Sequence, residues 1–366
     1  MIDFFNLKPN IFGLDISDLS IKTVQLRKKK DFLDVFSFGE ISLPAGIIKE
    51  GEIRDDKILS EKIKELIKKT KPHRLFSKYV IVSLPEEKAF IQVIQMPKLK
   101  EEDLKTAIIY EAENYIPFSI EDVYIDFQTI KPVVGGFDHI DVLIAAIPRK
   151  TVDVYLNAIL NADLIPLVFE IESMSIVRSL VKNEISPFPQ LLIDFGAAKT
   201  SLIIHSGYSI RFTTSIPVSS NKFTDVISRA MQISFEEAEK IKIESGLKEK
   251  EIFEALIPPL TDLVEQIKKY LDYYKTHSSH EHLSQEESGV SKIVLCGGGA
   301  NLVGLKEFIA SECGIPVVLG NPWVNIMSYP PKKIPSIHYK DSLRYTTAIG
   351  LALRGINLKL EDLIIK

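Results

Sequence analysis

Leu191-Leu192-Ile193-Asp194-Phe195-Gly196-Ala197-Ala198-Lys199-Thr200 decides how the rest of the chain is read. An apolar run ending in Asp-x-Gly and a small-residue turn predicts a buried strand that enters a tight hairpin. The return strand is Thr200 to His205, and Ser206-Gly207 turns it into a third strand, Ile210 to Ser215. The same rhythm opens the chain. Ile11-Phe12-Gly13-Leu14-Asp15-Ile16 reads as a strand, Ser17 to Ser20 as a turn, and Ile21 to Arg27 as a return strand; Lys28 to Asp31 then turns into Phe32 to Ser42. A repeat of strand, carboxylate, small turn and strand signals an internal duplication, with two similar lobes facing each other across a cleft. Ligands of α/β folds sit in such crevices, beyond strand ends.

The chain has 366 residues, 45% of them hydrophobic and 26% charged, an ordinary globular balance that excludes disorder as the main state. At ~150 residues per domain this is room for two to three domains or one bilobal body. With 45 basic against 49 acidic side chains the formal charge is −4, which argues against a nucleic-acid binder. Cys296 and Cys313 lie in no metal spacing and read as reduced cytosolic thiols. No apolar run approaches the ~18 residues of a membrane span. Met1 to Phe12 lacks the basic start, apolar core and cleavage site of a signal peptide. The expectation is a soluble cytoplasmic chain whose action at any membrane goes through a partner or a surface.

Between the two repeats lies a different rhythm. After a helix over Asp56–Lys69 and a strand over Tyr79–Val82 come a strand (Ala89–Met96), a helix (Glu101–Tyr115), two strands (Val123–Ile130 and Asp141–Ile147) and a helix (Lys150–Asn161). This predicts a small α/β domain inserted into the first lobe. Leu167–Ile171 is a further strand and Ser173–Val181 a helix, and Asn183–Pro189, with two prolines, reads as a loop at a lobe boundary. The division expected is 1–84 for the first lobe, 85–165 for the insert, 166–188 with 343–366 returning to the first lobe, and 189–342 for the second, with a helical part about 220–290.

Three turns could carry chemistry. Small residues at a hairpin tip let backbone N–H groups approach phosphate oxygens. A carboxylate just before each tip, Asp15 or Asp194, can hold a hydrated Mg²⁺ that bridges those phosphates. The glycine run of Leu295-Cys296-Gly297-Gly298-Gly299-Ala300-Asn301 ends a strand and lets a base and sugar lie against bare backbone. Each turn alone is a weak signal, and the three in this order point to a nucleotide. Thr276 to His282 has metal donors without a partner at ligand spacing and reads as a solvated loop, and Trp323 reads as packing.

That order of two Asp-bearing hairpins and a late glycine turn resembles the actin-like ATPase superfamily. The implied fold is α/β, actin-like (ribonuclease-H-like) and two-lobed, with an inserted strand-helix-strand-strand domain. The insert resembles that of FtsA and of the type IV pilus assembly protein PilM family, and the likeness to the PilM family is the fuller, running over nearly the whole chain. That likeness rests on the lead-in Phe4 to Pro9, Glu111-Ala112-Glu113-Asn114-Tyr115-Ile116-Pro117-Phe118, Ala146-Ile147-Pro148-Arg149, Glu172 with Arg178-Ser179-Leu180, and Leu295 to Leu302. The resemblance implies ATP and Mg²⁺ as cofactors. It assigns Asp15, Ser17, Ser20 and Lys22 to a first phosphate hairpin and Asp194, Gly196, Ala197 and Thr200 to a second. Gly297, Gly298, Gly299 and Asn301 would face adenosine, Glu239 and Lys242 the base and ribose, and Asp15 and Asp194 the metal through water. It also implies a partner, the cytoplasmic N-terminal peptide of a PilN-like inner-membrane protein, and raises pilus motor ATPases as a further partner class. The place it implies is the inner face of the cell membrane, reached through partners. Tyr115, Ile116, Pro117 and Phe118 are the expected groove rim.

The chain departs from that pattern where Ser17 stands for glycine and Ser219-Ser220 for a Gly-Gly pair. A Cβ restricts φ and crowds a phosphate, so the expectation is nucleotide binding with at most slow turnover, and no catalytic residue is assigned. The alternatives are an FtsA-like membrane-associated filament and an active actin-like ATPase. Leu358, Leu360, Leu363, Ile364 and Ile365 could form a short amphipathic helix; Glu361 and Asp362 among them favour docking on the body over a lipid surface.

Overall fold

The computed structural model describes residues 9–29, 32–131, 138–277, 289–327 and 333–358. Most of the lead-in, His280 and His282 and the terminal residues from 359 onward lie outside them. Alternating apolar residues draw the opening into antiparallel strands β1 (Ile11–Ser17), β2 (Ser20–Lys29) and β3 (Phe32–Ser42). A short pair, β4 (Ile48–Lys49) and β5 (Glu52–Ile53), precedes α1 (Asp56–Lys69). Asp55 caps α1 by accepting from the Ile58 amide at 2.9 Å, and the 3.6-residue period buries Leu59, Ile63 and Leu66. β6 (Lys71–Pro72) edges β3, and β7 (Tyr79–Leu84) runs parallel to β1.

From β7 the chain passes through a 3₁₀ turn, Glu86–Lys88, into a separate three-stranded sheet. Its elements are β8 (Phe90–Pro97), α2 (Glu101–Ala112), β9 (Val123–Ile130) and β10 (His139–Pro148), with β10 central. Ile94, Met96, Ile108, Ala112, Ile116, Val142 and Ile144 form a core of their own. The following α3 (Arg149–Asn161) leaves this unit. Its Val152, Tyr155, Ala158 and Ile159 pack with Leu59 and Ile63 of α1, and the Ser60 hydroxyl donates to the Ala158 carbonyl at 3.0 Å. The helix that sequence order puts in the insert therefore lies on the first sheet, because its apolar stripe matches that of α1. β11 (Ile165–Ile171) completes that sheet in the order β11-β7-β1-β2-β3-β6.

After α4 (Glu172–Leu180), β12 (Ser186–Phe195) starts inside the stretch that composition reads as a loop. Pro187 and Pro189 are absorbed where the β12 register shifts between Ser186 and Gln190, the kind of place where a sheet tolerates proline. Next come β13 (Thr200–Gly207), β14 (Ser209–Ile216), α5 (Ser220–Met231), α6 (Phe235–Glu244), α7 (Lys250–His277), β15 (Lys292–Cys296), α8 (Leu305–Cys313) and β16 (Val317–Leu319). The second sheet has the order β14-β13-β12-β15-β16, three antiparallel strands and then two parallel ones. That repeats β3-β2-β1-β7-β11 of the first, so the duplication is visible in the hydrogen-bond pattern. α9 (Tyr339–Ser342) leads to α10 (Thr346–Asn357), which packs on α4 and β1. Contact there is so close that a Cβ on Gly350 would lie 1.9 Å from the Ser175 carbonyl oxygen. Trp323 is buried with Ile326 and Tyr345, as a packing residue.

Candidate functional site

The two hairpin tips, β1–β2 and β12–β13, open onto one cleft of about 480 Å³. Asp15, Ser17, Ser20, Lys22, Asp194, Gly196, Ala197, Glu239, Lys242, Gly297, Gly298, Gly299 and Asn301 all line it. Thr200 does not. It is fully buried, and its hydroxyl donates to the Val218 carbonyl at 2.6 Å, tying β13 to the approach to α5.

The first tip is held by its own hydroxyls. Ser17 Oγ donates to the Ser20 carbonyl at 3.0 Å and lies 3.1 Å from Ser20 Oγ, which accepts from Lys22 Nζ at 2.6 Å. Ser17 is not among the positive-φ residues, so serine fits here without backbone strain. Asp18 fastens the tip from outside by accepting from the Glu50 and Gly51 amides at 2.8 and 3.0 Å. Behind it, the Ser83 hydroxyl accepts from the Ile16 amide at 2.9 Å and reaches Asp15 at 3.3 Å. Burial raises the Asp15 carboxyl above its usual range, against the pull of Lys22 at 3.9 Å.

The second tip is held by backbone. The Gly196 amide donates to the Lys199 carbonyl at 3.0 Å, and the Ser220 and Asn221 amides at the start of α5 donate to the carbonyls of Gly196 and Ala197. Gly297 backs Asp194 at φ +82°, where a Cβ would lie 2.3 Å from Asp194 Oδ1. A Cβ on Gly299 would meet Phe195 at 2.5 Å. These two glycines thus answer to protein packing, whereas Gly298 has open space on the cleft side, with only Arg344 Cβ at 3.8 Å. Burial, aided by the Asp15 carboxylate across the cleft, pushes Asp194 up to about 6.

On the α5–α6 side, Lys242 is 4% exposed and donates to the Ser220 carbonyl, Ser220 Oγ and Thr224 Oγ1 at 3.0, 2.8 and 2.6 Å. It also pairs with Glu239 at 2.6 Å, and burial lowers its pKa. The paired serines have structural tasks here. Ser219 caps α5 through the Lys222 amide, and Ser220 supplies an acceptor to Lys242.

Sequence reasoning missed Lys199 and its partners. From the second tip its ammonium pairs with Glu172 at 2.9 Å and with Glu87, in the turn that leads into the three-stranded unit. Against the cost of burial, these two carboxylates hold it protonated, above the usual lysine range. Burial pushes Glu172 upward, opposed by Lys199. The partners lie 112 and 27 residues away, so no local spacing could reveal them.

The expected groove rim divides. Ile116 is buried in the core of the three-stranded unit, while Tyr115 and Phe118 are 40% and 43% exposed and Pro117 is also exposed. Arg149 of α3 lies over the Tyr124 ring at 4.3 Å and donates to the Glu121 carbonyl, joining that unit to the first lobe. Among the described residues no helix is long and apolar enough to cross a membrane.

The donor set suits a polyanion carried with a cation. The tip residues, with the ammonium-bearing Lys22 and Lys199, line the cleft together with Asp15 and Asp194, and Lys22 lies 3.9 Å from Asp15. Among the described residues no group of three or more His, Cys, Asp or Glu is suited to enclose a metal. A pair of carboxylates fits Mg²⁺, which keeps several of its waters and takes one or two carboxylates plus phosphate oxygens.

The sequence profile of the type IV pilus assembly protein PilM family matches residues 13–356. Among solved structures, a PilM-PilN type IV pilus biogenesis complex has a chain 26% identical to this one, covering 95% of this chain and 99% of that one at a TM-score of 0.79. The ethanolamine utilization protein EutJ of Carboxydothermus hydrogenoformans is 16% identical over 94% of this chain and 89% of its own, with a TM-score of 0.56. MreB5 of Spiroplasma citri, in a structure bound to ADP, is 12% identical over 95% and 97%, with a TM-score of 0.55. These likenesses make the fold actin-like and two-lobed. The chain belongs to the type IV pilus assembly protein PilM family.

Proposed function

We propose that this chain is a nucleotide-binding scaffold of type IV pilus assembly that captures the cytoplasmic N-terminal peptide of a PilN-like inner-membrane protein. The observation that carries it is the joining of two features in one body. One is a cleft where both duplicated tips, the glycine turn and the Lys242 wall meet; the other is an insert that presents Tyr115 and Phe118 to solvent. The likeness to a chain of a PilM-PilN complex supports the choice of partner.

ATP with Mg²⁺ is the cofactor proposed for the cleft. Asp15 and Asp194 would hold the cation through its waters, the tip amides with Lys22 the phosphates, and Gly298, Asn301, Glu239 and Lys242 the nucleoside. The cation supplies positive charge that lets phosphates approach these carboxylates. Glu172, a buried carboxylate of the cleft lining, is engaged by Lys199, which supports binding with slow turnover. An extended peptide needs apolar pockets beside backbone donors, and the exposed aromatic rings at the end of α2 offer the first of these.

The test is calorimetry of the full chain with Mg-ATP and then with the peptide. Phe118→Asp abolishes peptide binding and leaves the Mg-ATP heat unchanged. Undiminished peptide affinity refutes the rim, and an absence of any Mg-ATP heat refutes the nucleotide.

A further inference from the structure

Both tips of the cleft converge on the same few residues, the root from which the three-stranded unit grows. The first tip reaches it through Asp18, which holds the Gly51 amide. Gly51 in turn lies so close to the root that a Cβ there would sit 2.5 Å from Pro85 and 3.0 Å from Glu87 Oε1. The second tip reaches it through Lys199, whose ammonium bridges Glu87 Oε2 and Glu172. Glu87 Oε1 is buried and has no hydrogen-bond partner among the described residues. The inward position of the Glu87 carboxylate therefore depends on one cation, and that cation stands on a tip that lines the cleft. A buried carboxylate that loses its counter-ion does not stay in place, because an unpaired charge is far better solvated outside.

We propose that Lys199 is a relay between the cleft and the insert: an incoming phosphate group competes with Glu87 for its ammonium, and the released carboxylate loosens the root of the three-stranded unit. The inference rests on the nucleotide reading above and adds the element that both ligands bias. Linkage sets the sign of its test, since a group that must be displaced by a ligand weakens that ligand.

Two quantities decide it in the full chain, the Mg-ATP dissociation constant by calorimetry and amide exchange over residues 86–97 with and without Mg-ATP. In the native chain Mg-ATP raises exchange at the root severalfold. In Glu87→Gln, where the Glu87 carboxylate no longer competes and only Glu172 stays on Lys199, Mg-ATP binds about fivefold or more tighter and the exchange no longer responds to it. Glu87→Ala reads the same two quantities if the glutamine retains a bond to Lys199. Tighter binding together with a silenced root supports the relay. Weaker or unchanged binding in both variants overturns it, as the behaviour of a merely structural carboxylate. A native chain that binds Mg-ATP with no change in exchange overturns the relay and leaves the nucleotide reading standing. A native chain that binds no Mg-ATP overturns both.

Discussion

The two hairpin tips share a strand pattern and differ in how they are held. The first uses side chains, with Ser17, Ser20 and Lys22 bonded among themselves and Ser83 behind. The second uses backbone, with the start of α5 donating into the turn and Gly297 behind. The halves part company at the end of the strand parallel to each tip's first strand. β7 runs on into Pro85 and the insert, and β15 runs into the glycine turn. A duplicated frame thus keeps its strands while its loops take different work, since loops tolerate change that a packed sheet does not.

The comparison breaks most sharply at the residue behind each carboxylate. Gly297→Ala forces a left-handed backbone and a clash with Asp194, and we expect a loss of about 3 kcal/mol in urea unfolding. Ser83→Ala, the counterpart, leaves the buried Ile16 amide without its acceptor and costs about 1–2 kcal/mol. Equal costs would mean that the two tips are held alike after all.

Asp194→Asn comes next. It should weaken Mg-dependent ATP binding on the order of tenfold by calorimetry, equivalent to ~1.4 kcal/mol. The same substitution acts on the nucleotide-free chain with a pH signature. Asp194 titrates at about 6 when folded against a usual 3.8, so the folded chain binds the extra proton. Its contribution to stability is fully present below the usual value and disappears as pH rises through about 6. Thermal melts of the variant should lack that part of the pH dependence and show a gain at pH 7.5 over the native chain. A variant less stable at that pH would place Asp194 in a favourable contact without nucleotide.

The smallest effect belongs to Ser17→Gly, the change back toward the family pattern. It removes two hydroxyl contacts and frees the backbone, so it costs about 1 kcal/mol in the same unfolding assay. A gain would show that the serine strains the tip.

The sequence made the duplication plain because period-two strands ending in Asp and small residues are local signals. The tip carboxylates and the glycine turn followed from that pattern, Glu239 and Lys242 only from the family resemblance, and Thr200, one step past the turn, points into the core because a strand alternates its faces. What stayed hidden depends on distance along the chain. Nothing near Lys199 announces Glu87 or Glu172, and nothing in α3 shows that its stripe meets α1 rather than the preceding sheet. β12 hid its first residues behind Pro187 and Pro189, which the register shift accommodates. Tyr115 to Phe118 is one apolar run in sequence, yet its alternate exposure separates Ile116, needed by the core, from neighbours left facing water.

Lys242 has a consequence for recognition. An ammonium has three donors, and here serine, threonine and glutamate partners already surround it. That wall is set before a guest arrives, so contact with it requires no ordering of a long side chain. If the proposed nucleotide sits here, discrimination between nucleobases at this wall would be a matter of rigid fit, with a purine of the wrong outline turned away by collision instead of being met by adjustment.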